Sequence, residues 1–272
     1  ILIITLGATL SVVSGLHKGI QLLSKMASVM AIILMGFMLV VGPTSFILGS
    51  TVQSTGYYLQ NLIATSTWME VNTESRWMDS WTFFYWGWWF AWAPFVGLFV
   101  ARISKGRTIK EFLIGVVIAP TLATIVWISI FGSTSLHIEI FGSGGMTEAV
   151  NQDITTALFK LLEHFPLPYL SILFVVIAGV IFFITSSDSG SLVIDFITSG
   201  GQENTPVQLR IFWALLEGAV AAVLLWGGGL IALQTGSLVT GLPVCLLMLI
   251  VCYSILKALR AYQVDTEKGA NP

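Results

Sequence analysis

Long apolar runs alternate with polar connections along this chain. The hydrocarbon core of a bilayer needs about 20 consecutive apolar residues on a helix. The first run, 1–13, is short and predicts only the end of a membrane span. The longer runs predict membrane-spanning helices at 26–48, 82–101, 112–131, 168–187, 207–226 and 230–256. A triple glycine, Gly227-Gly228-Gly229, predicts a tight turn between the last two spans.

Two of the polar connections are long. Residues 49–80 carry Glu70, Glu74 and Asp79, and predict an external connection. The other connection, 132–167, contains the segment 147–165, whose apolar residues recur at helical spacing: Val150, Ile154, Leu158, Leu161, Leu162 and Phe165. That pattern predicts an amphipathic helix lying at the membrane interface. The polar residues 257–272 predict a cytoplasmic tail.

The composition indicates that lipid is the solvent for most of the chain. It is 56% hydrophobic and 10% charged, with a mean hydropathy of +0.88, whereas a soluble domain carries about 25% charged residues. The chain starts without Met and without a cleavable leader pattern, so we interpret it as a piece of a longer protein. Its two cysteines, Cys245 and Cys252, predict packing or lipid-facing thiols.

The positive charges predict the orientation. If successive spans cross the membrane in alternating directions, every Lys and Arg lies on one side of the membrane except Arg76 and Lys160. Cytoplasmic loops carry the excess of positive charge. The basic loop 102–110 is therefore predicted to be cytoplasmic, and the connections 49–80 and 132–167 external.

An unusually aromatic stretch begins at Trp81 and forms the first half of the span 82–101. Residues three and four apart share a helix face. Phe84, Trp88 and Trp92 therefore align, with Trp89 beside Trp92, and Tyr85 beside Trp88 and Trp89. Gly87, Pro94 and Gly97 in the same helix allow close packing or a bend.

Two interpretations of these rings remain open. They could form an extended interfacial belt that also packs against neighbouring helices. Alternatively, they could form an aromatic cage for a quaternary ammonium ion, which the faces of Trp rings attract and which donates no hydrogen bonds. The second interpretation explains why Trp86, Trp88, Trp89 and Trp92 reach well into the span, where lipid offers an indole N–H no partner.

A second group of polar residues lies at 182–190, FFITSSDSG. The hydroxyls of Thr185 and Ser186 and the carbonyl of Phe182 share one helix face, and small hard cations prefer oxygen ligands. The hydroxyls could instead bond back to their own helix. Asp188 is an acid at or near membrane depth, which by default marks a functional site; its alternative role is to cap a broken helix.

Other chemistry is weakly supported. Glu217 predicts a structural hydrogen-bonding acid, and the three histidines are scattered over loops without the grouping a metal site needs. No hydrolase arrangement or phosphate loop fits, so the sequence predicts neither an enzyme, nor a cofactor, nor a nucleic-acid partner. A channel or receptor-like membrane module stays open as an alternative to a transporter.

The chain resembles the betaine/carnitine/choline transporters. The resemblance rests on the stretch 81–112, on FFITSSDSG at 182–190 and on SGLHKGIQLLS at 14–24. It implies an all-α polytopic membrane protein with a LeuT-like inverted-repeat fold. Residues 1–48 would be the end of the first repeat, with the tail of one membrane helix and a complete following helix, and 81–256 the second five-helix repeat. Family analogy also implies the cytoplasmic membrane of a bacterium and a possible homotrimer.

The resemblance also implies roles for particular residues. Trp89 and Trp92, with Trp88, Phe84 and Tyr85 nearby, would line the substrate pathway. Phe182, Thr185 and Ser186 would stand where sodium-coupled members bind their ion, and Asp188 would join them in ion binding or coupling. The residues of 186–190, 205–218 and 228–235 are most similar to the proton-driven choline branch. The sequence therefore predicts a proton-driven choline symporter, with a sodium-coupled glycine betaine transporter as the alternative.

Overall fold

The computed structural model describes residues 1–14, 19–71, 75, 77–202 and 205–269. Several residues of the sequence analysis lie outside the described residues: His17 and Lys18 of the 14–24 motif, Glu74, Arg76 and the end of the tail. Within the described part the chain is helical and has no strands. This confirms the predicted all-α polytopic membrane architecture.

Five helical stretches in the described part are long and apolar enough to cross a membrane. They are Gln21–Val41, Trp81–Ile103, Ile109–Phe141, Pro168–Thr198 and Val207–Tyr262. The last is long because two helical segments follow each other with a break between them. Gly228 and Gly229 have non-helical backbone angles, and Gly229 has a φ of 62°. The break therefore falls within the triple glycine from which the sequence predicts a turn.

The α-helices are numbered in chain order. They are α1 Leu2–Ser14, α2 Gly19–Val41, α3 Thr44–Gln60, α4 Leu62–Ser66, α5 Phe84–Ile103, α6 Ile109–Leu113, α7 Ala119–Phe141, α8 Met146–Gln152, α9 Ala157–Glu163, α10 Pro168–Thr198 and α11 Val207–Gly269. Wider π-helical turns at Met78–Phe83 and Ile114–Ile118 lead into α5 and α7. By backbone contacts the chain divides into two units: residues 1–68 with 104–218, and residues 69–103 with 219–272.

Unit 1 is built around the packing of α2, α3, α7 and α10 with α8 and α9. Its buried core consists of Leu34, Met38, Ile47, Ile130, Phe131, Ile138, Met146, Leu161 and Leu162. The helix α3 occupies part of the region 49–80 that the sequence predicts as a connection. Gly42 and Pro43 end α2, and a new helix then starts at Thr44 and buries Ile47 against this core.

The segment 147–165 is not one amphipathic helix. It forms α8, a 3₁₀ turn at Ile154–Thr156, and α9. Asp153 breaks the helix because its carboxylate accepts hydrogen bonds from the Thr155 N–H (2.9 Å) and hydroxyl (2.6 Å). The apolar face of α9 packs on the protein, since Leu161 and Leu162 are fully buried.

Unit 2 contains α5 and the second segment of α11. The N–H of Met78 donates to the carboxylate of Glu70 (2.8 Å), which fixes the chain where it enters α5. Gly87 on α5 lies against Leu238 and Gly241 on α11. The absence of a Cβ on both glycines lets the two backbones approach closely.

Candidate functional site

An open apolar cavity of about 240 Å³ lies along one face of α5 in unit 2. Its lining consists of Tyr85, Trp88, Trp89, Trp92 and Val96. These positions follow helical periodicity, so their side chains leave the helix on the same side. The cavity is somewhat smaller than the roughly 300–1,000 Å³ of pockets for drug-sized ligands, and suits a small ligand.

The structure brings together four of the five aromatic residues that the sequence selected. Phe84 does not line the cavity; it packs against Trp88, with ring centroids 5.5 Å apart. Tyr85 and Trp89 lie 6.3 Å apart, and Trp92 meets Phe95 edge to face at 5.4 Å. These contacts run along the helix beside the cavity.

The cavity is open on one side. Within unit 2, Trp89 is 59% exposed and Trp92 40% exposed, so the ring faces on this side of α5 are free to meet a ligand. The electron-rich face of an aromatic ring attracts a cation, and Trp does so most strongly. A second wall, from protein or lipid, is needed to enclose a ligand here.

The opposite side of α5 explains the position of the rings. A Cβ on Gly87 would come within 2.5 Å of a Leu238 methyl carbon, so this side of the helix is packed tightly against α11. Gly87 lies about half a turn away from the cavity-lining stripe. The sequence thus divides α5 into a small-residue packing face and an aromatic open face.

On α10, in unit 1, the structure places two of the three predicted ion-binding oxygens side by side. The Thr185 hydroxyl donates to the Phe182 carbonyl oxygen at 2.8 Å. This is the back-bonding that the sequence left open as an alternative. It uses the proton of the hydroxyl and leaves its oxygen lone pairs available to a cation. Ser186, one residue further, is exposed.

The helix α10 runs without interruption from Pro168 to Thr198. The broken helix that a capping role for Asp188 would need is absent from α10, and the hydroxyls bond to carbonyls of the helix itself: Thr185 to Phe182, and Ser189 to Thr185. Asp188 therefore caps no helix end. It points into the interior of unit 1, where it is 0% exposed and faces Ser11 on α1.

Glu217 has partners that the sequence analysis missed. Its Oε2 accepts hydrogen bonds from Ser187 (3.0 Å) and Ser191 (3.2 Å), which lie one turn apart on α10. The i, i+4 spacing of the two serines was the only signal in the sequence, and it does not say which helix carries the acceptor. Among the described residues, no group of three or more His, Cys, Asp or Glu side chains could hold a metal ion.

Comparison with known proteins identifies the family. The family model described as BCCT, betaine/carnitine/choline family transporter, matches residues 1–264. The chain is 45% identical to a glycine betaine/proline/choline/ectoine transporter of Vibrio parahaemolyticus, over 94% of this chain and 46% of the relative. It is 40% identical to a glycine betaine transporter of Bacillus subtilis, over 99% and 52%.

A glycine betaine transporter of Acinetobacter baylyi is 39% identical, over 98% of this chain and 40% of the relative. The chain spans about half the length of the curated relatives it matches. The matched family is one of membrane transporters rather than enzymes. With a family match over nearly the whole chain and apolar helices of spanning length, this chain belongs to the betaine/carnitine/choline family of transporters.

Proposed function

We propose that the full-length protein is a secondary transporter that imports quaternary ammonium osmolytes across the cytoplasmic membrane of a bacterium, with glycine betaine as its first substrate. The observation that carries this proposal is the cavity on α5, lined by Tyr85, Trp88, Trp89 and Trp92. A trimethylammonium group presents methyl groups and a spread positive charge, and aromatic faces attract both.

We propose glycine betaine rather than choline because of the relatives, and not because of the geometry of the cavity. Residues 186–190, 205–218 and 228–235 favour choline. The Bacillus and Acinetobacter relatives, however, are glycine betaine transporters by name, and the name of the Vibrio relative includes both substrates. The two substrates share the trimethylammonium group and differ at the other end. The rings of α5 recognise the shared end, so this half of the protein accounts for the class of substrate.

The proposed coupling ion is sodium, bound in part by the oxygens of Thr185 and Phe182. Their separation of 2.8 Å allows both to contact one small cation, and Ser186 supplies a further hydroxyl nearby. Hard cations take several oxygen ligands, so the remaining ligands must come from another part of the full-length protein. A proton gradient is the alternative driving force. By family analogy, we also propose that three copies associate.

Transport assays on the reconstituted full-length protein test this proposal. Labelled glycine betaine and choline are offered under an imposed sodium gradient, an imposed proton gradient, or neither. We expect saturable uptake of glycine betaine that follows the sodium gradient, together with counterflow when no gradient is present. Flux that neither saturates nor shows counterflow would indicate a channel and would contradict the proposal.

A further inference from the structure

The hydroxyl groups of α10 near the proposed sodium ligands bond in two different ways. Thr185 and Ser189 donate back to carbonyl oxygens of α10 itself, at 2.8 Å each. Such back-bonding is common for hydroxyls within helices, since it needs no second helix. Ser187 and Ser191 instead donate across to Oε2 of Glu217 on α11, at 3.0 Å and 3.2 Å. These two serines therefore form a specific polar contact between α10 and α11.

Gly190 brings the carboxylate of Glu217 close to the backbone of α10. A Cβ on this glycine would come within 2.5 Å of Oε1, so the carboxylate occupies the space that a side chain would need. Positions 187, 190 and 191 are three and four residues apart or adjacent, and they share one face of the helix. The carboxylate thus contacts three positions on a single face of α10, which we term the anchor face.

The anchor is directional, whereas the neighbouring contact of α10 with α1 is not. On that side the end of the Ile184 side chain fills the space beside Gly7, and apolar attraction does not depend on direction. Hydrogen bonds constrain both distance and angle. The helix that carries Glu217 is also held in place, because the next residue, Gly218, lies against Thr5 of α1. The contact with Glu217 is therefore the one that fixes the rotation of α10 about its own axis.

The proposed sodium ligands lie on the far side of α10 from the anchor face. With 3.6 residues per turn, the centre of the anchor face and the centre of positions 182, 185 and 186 are about 140° apart. Burial agrees with this geometry, since Ser191 is 1% exposed and Ser186 is exposed. Along the axis, Ser187 is only about 3 Å beyond Thr185. A contact that fixes the rotation of the helix at this level also fixes the direction of the ligands.

We propose that Glu217 is a positioning residue for the coupling ion. By accepting hydrogen bonds from Ser187 and Ser191, it sets the rotation of α10 and so aims the proposed sodium ligands at the ion. Binding sites need their groups held within about 0.5 Å of the productive geometry. Glu217 does not touch the ion, because it lies on the other side of the helix. This inference rests on the proposed function, specifically on its sodium coupling.

The test is the sodium affinity of the full-length protein, measured as the rise of the thermal unfolding midpoint with sodium concentration. Loss of a group that orients metal ligands typically lowers metal affinity about 10–100-fold. We expect a loss of at least about 10-fold in Glu217→Ala. Glu217→Gln should retain the affinity, because both serines donate to one oxygen, which the amide carbonyl can replace. The control is Thr198→Ala, whose hydroxyl bonds within α10.

Uptake assays on the same variants separate positioning from a general loss of structure. The KM for sodium should rise in Glu217→Ala, while the KM for glycine betaine at saturating sodium stays unchanged. Ser187→Ala is the second variant should Glu217→Ala fail to fold. It should lower the sodium affinity by itself, and it should add no further loss in the Glu217→Ala background.

Three results would overturn the inference. Unchanged sodium affinity in both Glu217→Ala and Ser187→Ala would show that the contact does not orient the ligands. An equal loss in Glu217→Gln and Glu217→Ala would show that the negative charge, and not the position, is what matters. Both results leave the sodium coupling of the unmodified protein intact. An unmodified protein that does not respond to sodium would instead refute the proposed coupling, and this inference with it.

Discussion

Gly241 lies directly against the backbone of Gly87: a Cβ on Gly241 would be 2.7 Å from the Gly87 carbonyl oxygen and 3.1 Å from its Cα. This crossing holds α5 on α11 by the face opposite the aromatic cavity. Gly241 cannot be enlarged without separating the helices, because the atoms that its Cβ would meet are backbone, whereas a Cβ on Gly87 would meet the end of the flexible Leu238 side chain. The close approach of α5 to α11 therefore depends on the absence of a side chain at Gly241.

Replacing Gly241 with alanine should weaken this crossing. The new methyl group would overlap backbone atoms, which cannot rotate away, and overpacking of this kind costs about 1–3 kcal/mol. The matched control is Gly97→Ala, also in unit 2, where nothing lies within 4 Å of the added Cβ. There, alanine should be neutral or stabilising by about 0.5–1 kcal/mol. Equal thermal unfolding midpoints for the two variants of the full-length protein would contradict the assigned contact.

Gly190→Ala should displace the Glu217 carboxylate. The new Cβ would lie 2.5 Å from Oε1, so the hydrogen bonds from Ser187 and Ser191 must break or rearrange. Each bond to a charged acceptor contributes about 1.5–3 kcal/mol. We expect a lower thermal midpoint for Gly190→Ala, and no loss for Gly179→Ala on the same helix, where the added Cβ meets nothing within 4 Å.

A double-mutant cycle distinguishes this contact from a general effect on the helix. In a Glu217→Ala background the oxygen that obstructs the new methyl group is gone, so Gly190→Ala should cost little. An undiminished penalty in that background would show that the clash is with some other group.

Two ion pairs of unit 1 should differ widely in their contribution to stability. Arg210 and Asp195 are 13% and 5% exposed, and Thr205 bonds to both. Lys160 and Glu163 are 51% and 50% exposed. Arg210→Met leaves a buried carboxylate unpaired and should cost about 3–5 kcal/mol, whereas Lys160→Met should cost about 0–1 kcal/mol. Similar losses from the two substitutions in denaturant unfolding would refute this ranking.

The turn after α8 should loosen in acid. Hydrogen bonds from the Thr155 hydroxyl and N–H lower the pKa of Asp153 below its ordinary value of 3.8. The stabilisation is therefore complete above pH 3.8 and is lost as the pH falls through the lowered folded-state pKa. The protection factor of the Thr155 N–H against hydrogen exchange should fall in that range in the unmodified protein, and should already be low at neutral pH in Asp153→Ala, which has no side-chain acceptor. A pH-independent protection factor in the unmodified protein would contradict this role.

The sequence predicts the membrane-spanning segments because their apolar length has few alternative explanations. It does not predict α3, since the polar residues of Thr44–Gln60 suggest a loop. In the structure, the hydroxyl of Thr51 bonds to the Ile47 carbonyl at 2.7 Å, so the helix satisfies its own polar groups. The break at Asp153 was missed for the converse reason, because the apolar spacing continues across it.

The candidate sites were predictable only as far as a single helix determines them. Helical periodicity places Trp88, Trp89 and Trp92 on one face, and the cavity lies on that face. The direction of Asp188 depends on Ser11, which is far away in the sequence and belongs to another helix. The same is true of Glu217 and its serines. Contacts between distant helices leave no periodic signal within either one.

The central claim is that the faces of the α5 tryptophans bind a permanently charged nitrogen. The most direct measurement is the affinity of the full-length protein for glycine betaine, and for its analogue with a tert-butyl group in place of trimethylammonium. The protein is compared with Trp89→Phe, Trp89→Leu and the control Trp226→Leu, a residue that is 94% exposed and does not line the cavity.

A desolvated contact of a cation with Trp contributes about 2 kcal/mol, or roughly 30-fold in Kd. We predict a loss of about that size in Trp89→Leu, a smaller loss in Trp89→Phe, no change in Trp226→Leu, and weak binding of the tert-butyl analogue, which lacks the ammonium charge, throughout. Unchanged affinity of Trp89→Leu for glycine betaine, or equal binding of glycine betaine and its tert-butyl analogue, would contradict the account.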